Sequence, residues 1–133
     1  MTKIKLVLLI FGEEIDLTSL TNVMKLTPTN YWEKGDKILG RKRELIRKES
    51  CWELDFKFVN TLYLDEVTDQ VVMKLSNNLN SISNYIKENK LQTKFNIIVE
   101  INDNEKPALY LNKSFLKVVS RMNSEIDIDL YNI

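Results

Sequence analysis

Any chemistry in this chain has to come from carboxylates, hydroxyls, cationic side chains and one thiol, because its 133 residues include no histidine. Histidine-based triads, Cys–His pairs and histidine metal sites are therefore excluded. Asp127 and Asp129 alternate along one stretch and, together with Asp103 or Glu105, could supply oxygen ligands to a metal ion. The spacing of a calcium-binding loop is missing, and alternate acids are typical of the wet face of a strand. We therefore expect no metal site.

The single cysteine, Cys51, follows Arg47 and Lys48, and nearby cations can lower a thiol pKa. With no histidine in the chain, and at the head of a strand, it is interpreted as structural. The three glycines fit neither of the common phosphate-binding loop patterns. The sequence accordingly predicts a protein that is not an enzyme and that uses no cofactor.

The stretch LTPTNYWEKGD carries residues suited to binding. Thr29 offers a hydroxyl, while Tyr31 and Trp32 are adjacent aromatics in a predicted loop. Aromatic side chains bury a large area at a low cost in conformational entropy, which makes them good contact residues. The alternative is that Trp32 fills the edge of the core beside Trp52. The sequence leaves both interpretations open.

A basic run, RKRELIRK, occupies residues 41–48. Arg41 and Arg43 are close enough in sequence to the aromatic pair to steer an acidic partner toward it. The run could instead grip phosphates, or form a solvated hairpin that guards a sheet edge. Because Lys+Arg and Asp+Glu both number 19, nothing global draws the chain to nucleic acid or to a membrane. A protein partner is favoured over nucleic acid.

Hydrophobic periodicity predicts the elements that must position these residues. Alternation of apolar and polar residues predicts strands, and apolar residues at steps of three and four predict helices. The predicted order is a strand over Lys3–Phe11, a helix from Asp16 to before Pro28, a strand over Cys51–Phe58 with Arg43–Lys48 as its hairpin partner, a long helix from Asp65 to about Asn89, strands over Lys94–Ile101 and Pro107–Leu111, a helix from Asn112, and a strand over Ile126–Tyr131.

This order predicts a single α+β domain over residues 1–133. Its sheet should be mixed but mostly antiparallel, with one long and two short helices mainly on one face. The predicted strand Cys51–Phe58 alternates cleanly, so Trp52, Leu54, Phe56 and Phe58 should point inward. The predicted core contains Leu6, Leu8, Trp52, Leu54, Phe56, Leu75, Leu79, Ile97, Val99, Phe115 and Ile128.

Several of these segments also resemble a known family. LTPT followed by an aromatic and KGD, the tryptophan in CWEL, the long amphipathic helix and the closing EIDIDLY look like the bacterial family catalogued as domain of unknown function 4279. The resemblance covers nearly the whole chain. It implies a small bacterial α+β domain and supplies no catalytic residue.

The function expected from these observations is that of a non-catalytic bacterial binding protein with a protein partner. One version is an immunity-type protein that binds and neutralises a toxin. The alternative is a nucleic-acid or anionic-ligand binding domain that uses the Arg41–Lys48 run. The apolar run Leu6–Phe11 is too short to cross a bilayer and lacks a cleavage pattern. We therefore expect a cytoplasmic protein.

Overall fold

The computed structural model describes residues 1–40 and 45–133. In these residues the elements are β1 (Lys3–Gly12), α1 (Leu17–Met24), β2 (Asn30–Trp32), β3 (Ser50–Asp55), β4 (Val59–Asn60), α2 (Leu64–Leu75), α3 (Leu79–Glu88), β5 (Gln92–Ile101), α4 (Lys113–Arg121) and β6 (Glu125–Asn132). The predicted α+β class is confirmed.

The strands form one sheet in the order β2-β3-β1-β5-β6, and β4 pairs with β1 beyond the end of β3. β1 runs antiparallel to both β3 and β5, and β2 runs antiparallel to β3. Only the pair of β5 and β6 is parallel within the described sheet. Parallel neighbours need a crossover connection, and α4 provides it here. The sheet is therefore mixed and mostly antiparallel, as predicted.

The core lies between the helices and one face of this sheet. Along β1, Ile4, Leu6, Leu8 and Ile10 alternate with residues of the other face and are fully buried. Buried residues of all four described α-helices join them in one hydrophobic cluster. Of the predicted core residues, Leu54, Phe56 and Ile128 are partly buried against this cluster, and the buried ones are Leu6, Leu8, Trp52, Leu75, Leu79, Ile97, Val99 and Phe115.

The predicted long helix is a helical segment in which a 3-10 turn over Ser76–Asn78 joins α2 to α3. Asn78 fixes this turn, because its side-chain amide donates to the carbonyl oxygen of Val23 at the end of α1, at 2.7 Å. The predicted caps of the two short helices are also present. The Asp16 carboxylate accepts from the Ser19 N–H at 3.1 Å, and the Asn112 amide oxygen accepts from the Phe115 N–H at 3.0 Å.

The prediction that Phe58 points into the core is wrong. Lys57 adopts the left-handed region with φ of 72°, and this interrupts the alternation after β3. As a result the Phe58 ring lies on the opposite face of the sheet, where the Lys3 and Lys5 ammonium groups lie 4.6 and 4.8 Å from its centroid. Val59 then returns to the core side, paired with Ile4.

Two other predicted pairings differ in the structure. Residues 45–47 pair with residues 35–38 rather than with β3, because β3 is already paired with β1 and β2 on its two edges. The segment Pro107–Leu111 is not a strand, and within it Ala108 makes a single bridge to Tyr63. Arg43, at the start of the predicted hairpin strand, lies outside the described residues.

Replacement of Leu79 by alanine tests whether the apolar residues of the predicted long helix, spaced at steps of three and four, face the core. Leu79 is 7% exposed and belongs to the core cluster, so Leu79→Ala should lower the free energy of unfolding by about 2–5 kcal/mol. Denaturant melts of the two proteins give this difference. Leu39→Ala is the matched control, because Leu39 is 91% exposed, and it should change the stability by less than about 0.5 kcal/mol. Equal effects of the two substitutions would contradict the assignment.

Candidate functional site

The two faces of the sheet have different surroundings. The face opposite the helices carries Val7, Leu9 and Phe11 of β1, and Cys51 of β3. Cross-strand ion pairs follow them along the sheet, with Lys5 and Asp55 3.4 Å apart, Lys3 and Glu100 3.3 Å apart, and Lys94 and Asp127 3.5 Å apart. None of the apolar residues of this face belongs to the helix-side cluster. We call this surface the open face.

A segment that we call the arm, residues 33–40 and 45–49, lies beside the open face. Its two halves are joined by backbone hydrogen bonds from the Gly35 N–H to the Arg47 carbonyl at 2.8 Å, and from the Ile38 N–H to the Leu45 carbonyl at 2.8 Å. Gly35 has φ of 94°, a conformation that costs glycine little. The Lys34 N–H donates to the Ser50 hydroxyl at 3.0 Å, which fastens the arm to β3.

Between the arm and the open face lies a cavity of about 490 Å³. This volume falls in the range of small-molecule and side-chain pockets, which are mostly apolar with a few polar groups. Its apolar lining comes from Leu9, Phe11, Trp32, Ile38, Leu45, Ile46 and Cys51, and its charged lining from Arg47, Lys48, Glu49 and Lys94. The arrangement can hold an apolar group and place positive charge beside it.

Trp32 and Arg47 stand together at this cavity. Trp32 is paired with Cys51 across β2 and β3 and is half-buried, so its ring lies on the open face. The Arg47 guanidinium carbon is 3.9 Å from the centroid of that ring. This is a cation–π contact, which holds a flexible arginine in a defined position. Trp32 therefore does not fill the core edge beside Trp52, which is fully buried on the opposite face.

Tyr31 and Thr29 have their polar groups engaged within the fold. The Tyr31 hydroxyl donates toward the Ile15 carbonyl at 3.1 Å and the Glu33 carboxylate at 3.3 Å. Burial and the negative charge of Glu33 raise the pKa of Tyr31. The Thr29 hydroxyl accepts from the Asp55 N–H at 2.8 Å. These contacts fasten β2 to the rest of the domain.

The structure thus separates the predicted binding residues. Successive residues of a strand point to opposite faces, so Tyr31 lies opposite Trp52 on the helix side while Trp32 lies on the open face. The stretch predicted as a loop contains β2 at its centre. Arg41 and Arg43 lie outside the described residues.

Four residues that line the cavity were not predicted from the sequence: Leu9, Phe11, Ile38 and Leu45. Two features of the sequence could have indicated them. These are the apolar second face of β1 and the apolar residues within the charged segment that follows β2.

Cys51 also lines the cavity, and its thiol is not activated. Burial and the negative charge of Glu53 raise the pKa of Cys51 to about 12, against a smaller opposing effect of Arg47. The alternative of a lowered thiol pKa is therefore wrong. In addition, no group of three or more Cys, Asp or Glu that could hold a metal ion occurs in residues 1–40 and 45–133.

Together these features define a small α+β domain whose sheet has one face under helices and the other beside a cation-rimmed apolar cavity. The family model described as Domain of unknown function (DUF4279) matches residues 2–133. The chain belongs to this family, and the resemblance seen in its motifs is confirmed. No curated protein and no solved structure matches it. Where the structure describes the chain, none of its helices combines the length and the apolar character needed to cross a bilayer.

The raised pKa of Cys51 predicts slow alkylation. In the folded protein at about pH 8, iodoacetamide should label Cys51 at least about 100-fold more slowly than in the unfolded chain, since the thiolate is the reactive form. Mass spectrometry of samples with and without denaturant measures the two rates. Fast labelling of the folded protein would refute the assignment.

The same raised pKa predicts a pH dependence of stability. Since the folded-state pKa of Cys51 lies above that of the unfolded chain, the contribution of Cys51 to stability should be lost as the pH rises from about 8.5 toward 12.

Proposed function

We propose that this chain is a non-catalytic binding protein that holds another protein over its open face. The observation that carries the proposal is the apolar cavity bordered by Trp32 and Arg47. Tryptophan and arginine are enriched among the few residues that dominate binding energies at protein interfaces. Because this contact already restricts the Arg47 side chain in the free protein, Arg47 loses less conformational entropy on binding. Such preorganisation favours affinity.

The charge around the cavity supports a partner of a particular kind. Arg47, Lys48 and Lys94 line it, against Glu49 as the only carboxylate among its described lining residues, and Lys94 is also ion-paired with Asp127 beside the cavity. A partner that inserts an apolar side chain between acidic neighbours would match both the lining and the charge. Electrostatic complementarity of this kind speeds association and excludes wrongly charged partners.

The chemistry of the cavity supports a role without catalysis. Its thiol has a raised pKa, so the reactive thiolate is scarce at neutral pH. The chain has no histidine to act as a general base. What the cavity offers is apolar area and positive charge, which are means of binding.

In the version we favour, the protein acts in the bacterial cytoplasm as an immunity-type protein, and its partner is a toxin that it binds and neutralises. Such a role needs a tight contact surface and no reaction. Small α+β domains serve many unrelated functions, so this version rests on the character of the site and not on the fold.

The second candidate is an anionic-ligand or nucleic-acid binding domain that uses the run Arg41–Lys48. The observation in its favour is that Arg47 and Lys48, at the end of this run, line the cavity. The balanced charge of 19 basic and 19 acidic residues weighs against nucleic acid.

Replacement of Trp32 tests the proposed function. Trp32→Ala should weaken binding of the protein partner by roughly 2 kcal/mol or more while the domain stays folded, because Trp32 lies outside the helix-side core. The experiment is affinity capture from the native cell with wild type and variant, followed by titration of the captured protein. Expression of that protein alone should then arrest growth, and coexpression of the wild-type chain should restore it.

Two further variants sharpen this test. Tyr110→Ala removes an aromatic that is 63% exposed and does not line the cavity, so it should capture the same protein as wild type. Trp52→Ala removes a fully buried ring and should instead lower the stability by about 3–5 kcal/mol. The proposal fails if the captured protein binds Trp32→Ala as tightly as wild type, or if Trp32→Ala unfolds the domain as Trp52→Ala does.

The nucleic-acid candidate has its own measurement. Phosphate contacts release counterions, so binding through the run would weaken steeply with added salt and on joint replacement of Arg41, Arg43 and Arg47. Fluorescence anisotropy with a random DNA duplex should detect no sub-micromolar binding at physiological ionic strength. Tight binding there, lost in the triple variant, would reverse the order of the two candidates.

A further inference from the structure

The last strand, β6, has one edge that pairs with no other strand among the described residues. It is eight residues long and pairs with β5 on one side, and it ends the order of strands in the described sheet. A strand edge presents a row of free backbone N–H and C=O groups that can pair with another extended segment. At the other end of the sheet, β2 has only three residues, so β6 is the longer edge.

The hydrogen bonding to β5 identifies the outward backbone groups. The Ile133 N–H donates to the Ile101 carbonyl at 3.0 Å, and Asn132 stands opposite Ile101 in the register. In a parallel pair this geometry turns the backbone of residues 131 and 133 toward β5, and that of Asn132 away from it. By alternation, the outward groups belong to Ile126, Ile128, Leu130 and Asn132.

The side chains of β6 form two rows of opposite character. Glu125, Asp127 and Asp129 lie on the open face, because they are paired with Lys94, Asn96 and Ile98. Asp127 forms its ion pair with Lys94, whereas Glu125 and Asp129 have no ion-pair partner among the residues that the structure describes.

The other row lies on the helix side, where Ile126 and Ile128 pack partly buried against the core. Leu130 continues this row and is 56% exposed. Its exposed surface would be covered by an apolar side chain of an added strand. The edge therefore combines an acidic row, an apolar row and free backbone groups in one register.

A second copy of this chain fits the edge poorly. In the antiparallel registers that overlap most of β6 in two copies with continuous sheets, acidic residues of the two copies stand opposite each other, for example Asp127 opposite Asp129. Like charges directly opposite each other on neighbouring strands are destabilising. The acidic row thus disfavours self-pairing over most of the strand and favours a segment with cations at alternate positions.

We propose that β6 binds an extended segment of a partner protein as an additional strand, and that this segment alternates basic with apolar residues. Its backbone pairs with the outward groups of Ile128 and Leu130. Its apolar side chains extend the helix-side core, and its cations meet Asp127 and Asp129 on the open face. This surface lies at the opposite edge of the sheet from β2, and the proposal does not depend on the function proposed for the cavity.

The test uses a capped peptide of the length of β6 that alternates lysine with valine, titrated into the isotopically labelled full chain. We expect the amide resonances of Ile126, Ile128 and Leu130 to shift and their hydrogen exchange to slow, because these N–H groups gain acceptors. A peptide with the same residues in scrambled order, and one that alternates glutamate with valine, should produce neither effect.

Two pairs of variants separate the contribution of the backbone from that of the charge. Leu130→Pro removes an outward N–H, which an edge strand tolerates, and should abolish binding, whereas Leu130→Ala keeps the N–H and should retain it. D127N/D129N should weaken binding roughly fivefold, and D127K/D129K should bind the glutamate peptide instead. A thermal melt of each variant confirms that it is folded.

The following results would overturn the proposal. They are shifts that map away from β6, equal binding by folded Leu130→Pro and Leu130→Ala, and a dimer of the wild-type chain that Leu130→Pro abolishes. The last would show that a second copy occupies the edge. An absence of any shift at saturating peptide would equally count against it.

Discussion

β1 is apolar along its whole helix-side face and, from Val7 to Phe11, on its other face as well, and the rest of the structure depends on how these two faces are covered. It lies between β3 and β5, so its backbone groups are satisfied by two antiparallel neighbours. One set of its side chains, Ile4 to Ile10 in alternation, is fully buried under the helices. The other set, from Val7 to Phe11, would expose apolar area to water if nothing lay over it. The arm meets this need only in part, and the remaining space is the cavity.

The contacts that fasten β2 and the arm follow from the same arrangement. Because β2 has only three residues, its own ladder is short, and side chains supplement it. Thr29 and Tyr31 bond to the backbone of β3 and of the segment before α1, while Ser50 bonds to the arm. These polar groups hold β2 and the arm in position, whereas Trp32 and Arg47 contact each other at the cavity.

Much of the fold could be predicted from the sequence, because periodicity reports burial directly. The alternation in β1, β5 and β6 and the stripe through Leu75 and Leu79 identified the elements and most of the core. The position of Phe58 could not be predicted, since it depends on the left-handed backbone of Lys57, a conformation that lysine rarely adopts. The side of the sheet on which Trp32 lies depends on β2 being a strand, and a strand of three residues leaves too little alternation to detect.

The candidate site was harder to predict than the fold for a related reason. The cavity joins residues from β1, β3, β5 and the arm, and their proximity is set by strand order, which local patterns do not encode. Trp32 was identified because aromatic residues are conspicuous in a polar stretch. Leu9 and Phe11 make the second face of β1 apolar, but the sequence gives no means of deciding what covers that face, since a strand has the same pattern under a helix as under a hairpin.

The position of β1 in the middle of the sheet has a consequence for how the chain is made. A ribosome releases β1 before the other strands of this sheet, yet Lys3 pairs with Glu100, near the end of β5. Until β5 emerges, one edge of the most apolar strand has no native partner, and both of its faces are incompletely covered. Domains dominated by such distant pairings fold slowly and expose aggregation-prone surface while they do so. The central sheet can therefore close only after β5 has been synthesised, and a nascent chain arrested before β5 would be a substrate for chaperones.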